Sequence, residues 1–180
     1  LQSIPVEHPD DCVMLDAASR RNLEIDTNLS GGTNNTLLSV LDTCATTMGS
    51  RLLGRWLNRP LRNHDELSKR QNMIAALRQN YRFEHCVATL RGIGDIERIL
   101  ARVGLRTARP RDLTKLRDSL ALLPELQTLL NNSESDELKE LATRITEFPE
   151  QQTLLARALE ENPPVVIRDG GVIASGYDAE

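Results

Sequence analysis

The sequence predicts a mainly α-helical protein, an array of several short helices with a small β element near its C-terminal end. Three observations predict it. Apolar residues recur at helical spacing in segment after segment, most regularly at Ile96, Ile99, Leu100 and Val103, which stand at i, i+3, i+4 and i+7. Hydrophobic residues make up 39% of the 180 positions but aromatics only 3%, so the core is drawn mainly from Leu, Ile, Val and Ala, a set that suits packed helices. Only after Pro163-Pro164 does the pattern change. There Val165–Ile167 and Val172–Ile173 flank Arg168-Asp169-Gly170-Gly171, and an Asp-Gly pair between β-branched residues is a hairpin signal.

The elements follow in order. Val13–Leu15 is a short apolar segment with room for a strand, and Asp16 caps a helix running to about Asn22–Glu24. Ser30–Asn35, SGGTNN, is the clearest loop, because paired glycines and asparagines favour turn geometries that other residues resist. Thr36 caps a helix through about Leu41. Thr46 or Thr47 then opens a helix with a two-sided face, Met48, Leu52, Leu53, Trp56 and Leu57 against Arg51, Arg55 and Arg59, and Pro60 stops it. Trp56 reads as a core anchor among leucines rather than a base-stacking residue. Asn63, with Glu66 three residues on, imitates a capping box for a helix whose buried face is Leu67, Ile74 and Leu77. Gly92 and Gly94 break the chain before Asp95 caps the Ile96 stripe. Pro110 suits the first turn of a helix with Leu113, Leu116, Leu120 and Leu123, and Pro124 starts another with Leu126, Leu129 and Leu130. Leu138, Leu141, Ile145 and Phe148 form one further stripe, and Leu154, Leu155, Ala158 and Leu159 the last.

Residues 1–180 read as a single helical domain, with no internal repeat, no low-complexity tract and no run of about 18 apolar residues that could span a membrane. The start, LQSIPVEHPDD, lacks a signal-peptide layout and begins with Leu, which suggests an excised piece of a longer protein. Cys12, Cys44 and Cys86 are far apart and odd in number, pointing to reduced thiols and a cytoplasmic location. The net charge of −4 conceals a division: residues 1–50 carry −5, residues 51–120 carry +9 and residues 121–180 carry −8. In the simpler reading the acidic tail neutralises the basic middle; in the sharper one the basic middle faces DNA phosphates, which need positive charge without base-specific chemistry.

Catalytic and cofactor chemistry find little to build on. Gly49 and Gly54 have the separation of a phosphate-binding loop, but Arg55-Trp56 replaces its Lys-Ser/Thr. His8, His64 and His85 show no metal-ligand spacing. We therefore expect no catalytic, cofactor-binding or metal-binding residue. The one motif with functional weight is the loop before the Pro110 helix, where Arg102, Arg106, Arg109 and Arg111 gather at a helix start; Arg106, Arg109 and Arg111 are the candidate contacts to DNA phosphate. The competing reading pairs these arginines with Asp112, Glu97 or the acidic tail.

Five segments together resemble the bacterial DNA mismatch repair family MutS: LDAASRRNLEI at Leu15–Ile25, MGSRLLGRWLNRPL at Met48–Leu61, GDIERILARV at Gly94–Val103, RPRDLTKLRDSL at Arg109–Leu120 and RDGGVIASGYDAE at Arg168–Glu180. They occur in the family's order and span nearly the whole chain; departures are mild, such as Asn63 where an aspartate is usual. The resemblance implies part of the core, or lever, domain, a helical connector between mismatch-recognition modules and an ATPase. It implies that the mismatch-binding, clamp and ATPase domains, and the helices returning from the clamp, lie outside this chain, leaving leucine stripes exposed as an apolar patch. For the parent protein it implies ATP or ADP with Mg, mismatched double-stranded DNA, a homodimer and a MutL-type repair partner. Two functions stand side by side: a non-catalytic allosteric connector, and an autonomous helical DNA-binding module using residues 51–120.

Overall fold

The computed structural model describes residues 12–165 and 167–178, and the protein is mainly helical, with ten α-helices among those residues. His8, Val166 in the first arm of the expected hairpin, and the last two residues lie outside them. Packing divides the chain into two compact units, residues 1–72 and 73–180.

The first unit contains α1 (Ala17–Asn22), α2 (Leu37–Leu41), α3 (Thr47–Asn58) and most of α4 (His64–Arg78). Its helices begin where short polar side chains satisfy free amides, as the sequence predicts. Asp16 Oδ1 accepts from the Ser19 amide at 2.8 Å, Thr36 Oγ1 from Ser39 at 3.2 Å, Thr46 Oγ1 from Gly49 at 3.0 Å, and Asn63 Oδ1 from Asp65 at 3.0 Å. The box at α4 is only half made, because Glu66 turns to Arg70, 3.6 Å away. Asn28 organises the glycine loop: its Oδ1 accepts from Ser30 and Gly32, and its amide nitrogen donates to the Asn34 carbonyl. Arg20 joins α1 to the end of α3, donating from Nη2 to the Asn58 carbonyl at 2.9 Å and from Nη1 to Asn58 Oδ1 at 3.2 Å.

The α3 stripe is not closed as expected. No residue of this helix is buried, and Trp56 is exposed, with the Arg70 guanidinium 3.8 Å above its ring. Trp56 is therefore a half-covered platform for a cation rather than a core anchor.

The second unit contains α5 (Arg82–Gly92), α6 (Ile96–Gly104), α7 (Pro110–Ala121), α8 (Leu123–Asn131), α9 (Asp136–Thr143) and α10 (Pro149–Ala158). Helix α7 packs on α6, α8 and α10, while α8 packs on α5 and α9. Cys86, Leu130, Leu138 and Ala142 form the centre of one core, with Met73, Ala76 and Leu77 from the end of α4 packed against it. The expected face of α4 is thus shifted: Ile74 is exposed and Met73 and Ala76 take the inward positions. Gln127 Nε2 closes α9 by donating to the Ala142 and Ile145 carbonyls at 3.3 and 3.1 Å, groups that the helix end leaves without partners. Ile145 and Phe148, read as part of the α9 stripe, lie beyond its end. On α6 only Ile99 is fully inside; Leu100 and Val103 are exposed, as is Leu105 just beyond the helix.

Helix α5 had no predicted counterpart. It is separated from α4 by a single 3-10 turn, Gln79–Tyr81, in which Asn80 has φ 51° and Tyr81 φ 55°. Asparagine tolerates the left-handed region, but tyrosine does so at a cost of about 1–2 kcal/mol. The kink persists because it lets the end of α4 and the start of α5 reach the same core. Tyr81→Gly is accordingly expected to be more stable than Tyr81→Ala by about 1 kcal/mol, the reverse of the order in an ordinary helix. Urea unfolding of the two variants measures the difference.

Among the described residues no strand forms. The segment before α1 is held by one antiparallel bridge, Cys12 to Leu61, with the Val13 amide donating to the Pro60 carbonyl at 2.7 Å. The small β element at the other end is likewise reduced to one bridge, Leu159 to Ile173. Ile167–Asp169 curls into a 3-10 turn closed by the Gly170 amide on the Ile167 carbonyl. The Val172–Ala174 segment is then bound by the end of α10, through Glu160 N to Val172 O at 3.0 Å and Ala174 N to Ala158 O at 2.9 Å.

Candidate nucleic-acid interface at the α6–α7 corner

The arginine-rich loop joins α6 to α7, and its shape follows from how α6 ends. The Arg106 and Thr107 amides return to the Val103 and Arg102 carbonyls at 3.0 and 2.8 Å, with Arg106 in the left-handed conformation, φ 56°. This is the usual way of satisfying the last carbonyls of a helix, here made by an arginine rather than by the neighbouring Gly104. Pro110 then opens α7, wholly buried at its first position.

Asp112 holds the corner together. Its Oδ1 accepts from Arg102 Nη2 at 2.6 Å, and its Oδ2 accepts from Arg102 Nε at 2.9 Å and from the Arg109 amide at 2.9 Å. One carboxylate therefore pairs with a guanidinium fork across the corner and caps the helix it sits on. The hydrogen bond from Arg102 keeps the Asp112 carboxyl below the usual carboxylate range, against the opposing effect of burial.

The four arginines separate into two roles. Arg102 is spent on Asp112, which is one of the partners expected for this group. Arg106, Arg109 and Arg111 are all exposed; Arg109 acts electrostatically on Asp112, and the Arg106 and Arg111 side chains have no partner among the described residues. Since Pro110 has no amide proton and Asp112 occupies that of Arg109, the helix start offers an anion little backbone. Any phosphate contact here would use guanidinium groups.

Behind this corner lies an arrangement that sequence reasoning missed. The Gly94 amide donates to Ser119 Oγ at 2.8 Å, Ser119 Oγ donates to the Lys115 carbonyl at 2.6 Å, and Lys115 Nζ donates to the Gly92 carbonyl at 2.8 Å. Ser119 is fully buried. A Cβ at Gly94 would come within 2.6 Å of Lys115 Cγ, so an alanine there would push the Lys115 side chain away from its hold on the Gly92 carbonyl. The Gly-x-Gly spacing was a visible signal, but it could be read only as a break in helix. Elsewhere, burial raises the Cys86 thiol pKa, opposite to the shift a nucleophilic cysteine needs.

A sequence-family model described as MutS domain III matches residues 18–180. The chain belongs to the MutS domain III family. The match takes in both compact units and every helix of MutS domain III described above except the first residue of α1. It also makes this a domain of a DNA mismatch repair family, whose members act on DNA. No helix among the described residues is long and apolar enough to cross a membrane.

Proposed function

We propose that this MutS domain III is a non-catalytic mechanical connector, coupling mismatch recognition to ATP binding in the repair protein that carries it. The observation that carries the reading is the double fastening of α6 to α7, by the Arg102–Asp112 fork at one end and the Gly94–Ser119–Lys115 chain at the other. Helices tied at both ends move together, which a relay of displacement requires. Such a relay is a coupling free energy between two sites, typically about 1–3 kcal/mol. ATP with Mg, a second subunit and a MutL-type partner belong to the same proposal and rest on family resemblance. In the full repair protein, Gly94→Ala is expected to reduce the effect of a mismatch on ATP turnover about tenfold. Mismatch affinity and basal turnover, measured separately, should stay within twofold. Unchanged coupling with an intact fold would overturn the connector reading.

A second reading is favoured by the exposed Arg106, Arg109 and Arg111: an autonomous duplex-binding module. It requires the isolated chain to bind plain duplex steeply more weakly as salt rises, and to lose that binding when the three arginines become alanine. The connector reading requires weak, mismatch-independent binding in the same titration.

A further inference from the structure

An open cavity of about 270 Å³ lies where the end of α7 meets the start of α8 and the entry to α10, lined by Leu120, Ala121, Pro124, Glu147, Phe148, Pro149 and Gln152. Its walls are mostly apolar and its polar groups are few. The Glu147 carboxylate is exposed and has no partner among the described residues, and neither has the Gln152 side-chain amide. Phe148, the N-cap residue of α10, is 43% exposed rather than folded into the core. Neither proposed function uses any of these groups.

The charge of the site selects its occupant. Glu147 brings one full negative charge to the lining, and the start of α10 a half-unit positive charge, where Pro149 supplies no amide and Phe148 no side-chain cap. The carboxylate outweighs the helix end, and residues 121–180 as a whole carry −8. A free cation would bind as well at any acid on that surface. The apolar walls favour a cation on an aliphatic stem, which lies along Phe148 and the two prolines while its head meets Glu147 and Gln152. The volume is below that of most small-molecule sites and fits one long side chain.

We propose that this cavity is a docking pocket for a lysine or arginine side chain presented by a partner protein.

The test uses the whole chain and a fluorescein-labelled decapeptide carrying one lysine among alanine and leucine, with norleucine and glutamate versions as comparisons. Anisotropy should show the lysine peptide binding at least fivefold more tightly than the norleucine peptide, with the glutamate peptide weakest. Glu147→Gln should remove that fivefold preference, as expected for a partly solvated pair. Glu134→Gln, an equal charge change outside the cavity, should leave it intact. Gln152→Ala should weaken the lysine peptide about twofold, and amide NMR shifts should centre on Leu120, Ala121 and Phe148. Equal losses in Glu147→Gln and Glu134→Gln would overturn the proposal, showing diffuse attraction to an acidic surface. So would self-association of the chain that Glu147→Gln abolishes while the peptide does not compete, since a second copy would then be the occupant.

Discussion

Replacing Leu138 with alanine is expected to destabilise residues 73–180 by about 3 kcal/mol, the middle of the range for emptying a tightly packed leucine site. Leu138 is 1% exposed and touches the centre of the Cys86, Leu130 and Ala142 core, where helices α5, α8 and α9 meet. Leu141 provides the contrast. It lies on the same helix and the same predicted stripe but is 41% exposed, so Leu141→Ala should cost less than about 1 kcal/mol. Urea unfolding followed by circular dichroism compares the two, and equal losses would mean that α9 does not present the face described here.

Asp112→Ala is expected to cost about 2 kcal/mol. The pair lies between two limits: exposed ion pairs contribute on the order of 0–1 kcal/mol, and breaking a buried one costs about 3–5. The side chains of Arg102 and Asp112 are 39% and 19% exposed, so the solvated limit carries considerable weight. Loss of the cap on the Arg109 amide adds about 1 kcal/mol.

The same residue gives a signed pH dependence. The Asp112 carboxyl titrates lower in the folded chain than its unfolded value of about 3.9, chiefly because Arg102 donates to its ionised form. Its stabilisation is therefore complete above pH 4–5 and is lost as pH falls through the folded pKa. Asp112→Asn should have a shallower acid limb in a series of unfolding midpoints between about pH 6 and pH 3. Parallel curves for the two proteins would show that the fork contributes nothing measurable.

What the sequence revealed was local. Caps at Asp16, Thr36, Thr46, Asn63 and Asp95 depend on side chains reaching amides two or three residues away, the proline start of α7 on a fixed backbone angle, and all are found. What it concealed depended on residues distant along the chain. The kink at Asn80-Tyr81 has no glycine to announce it, so α5 was missed; the strain is offset by contacts with residues some 50 positions later. The C-terminal hairpin had the right turn residues, yet its second arm found a partner at Leu159 instead. At the candidate site the arginine cluster was legible as a cluster. Which member would be consumed by Asp112 depended on the crossing of α6 and α7, and spacing alone does not encode that.

Cys86 gives the molecule an internal clock. Its sulfur is enclosed by α5, α8 and α9, and burial keeps it in the unreactive thiol form, whereas Cys44 is exposed. Burial and the neighbouring Asp42 raise the Cys44 thiol too, so exposure alone sets the order: an alkylating reagent should modify Cys44 first, half-buried Cys12 next, and Cys86 only when those three helices part. With Cys12 and Cys44 replaced by serine, the remaining modification counts such partings, so anything that tightens or loosens this bundle should register as a change in tempo at one atom.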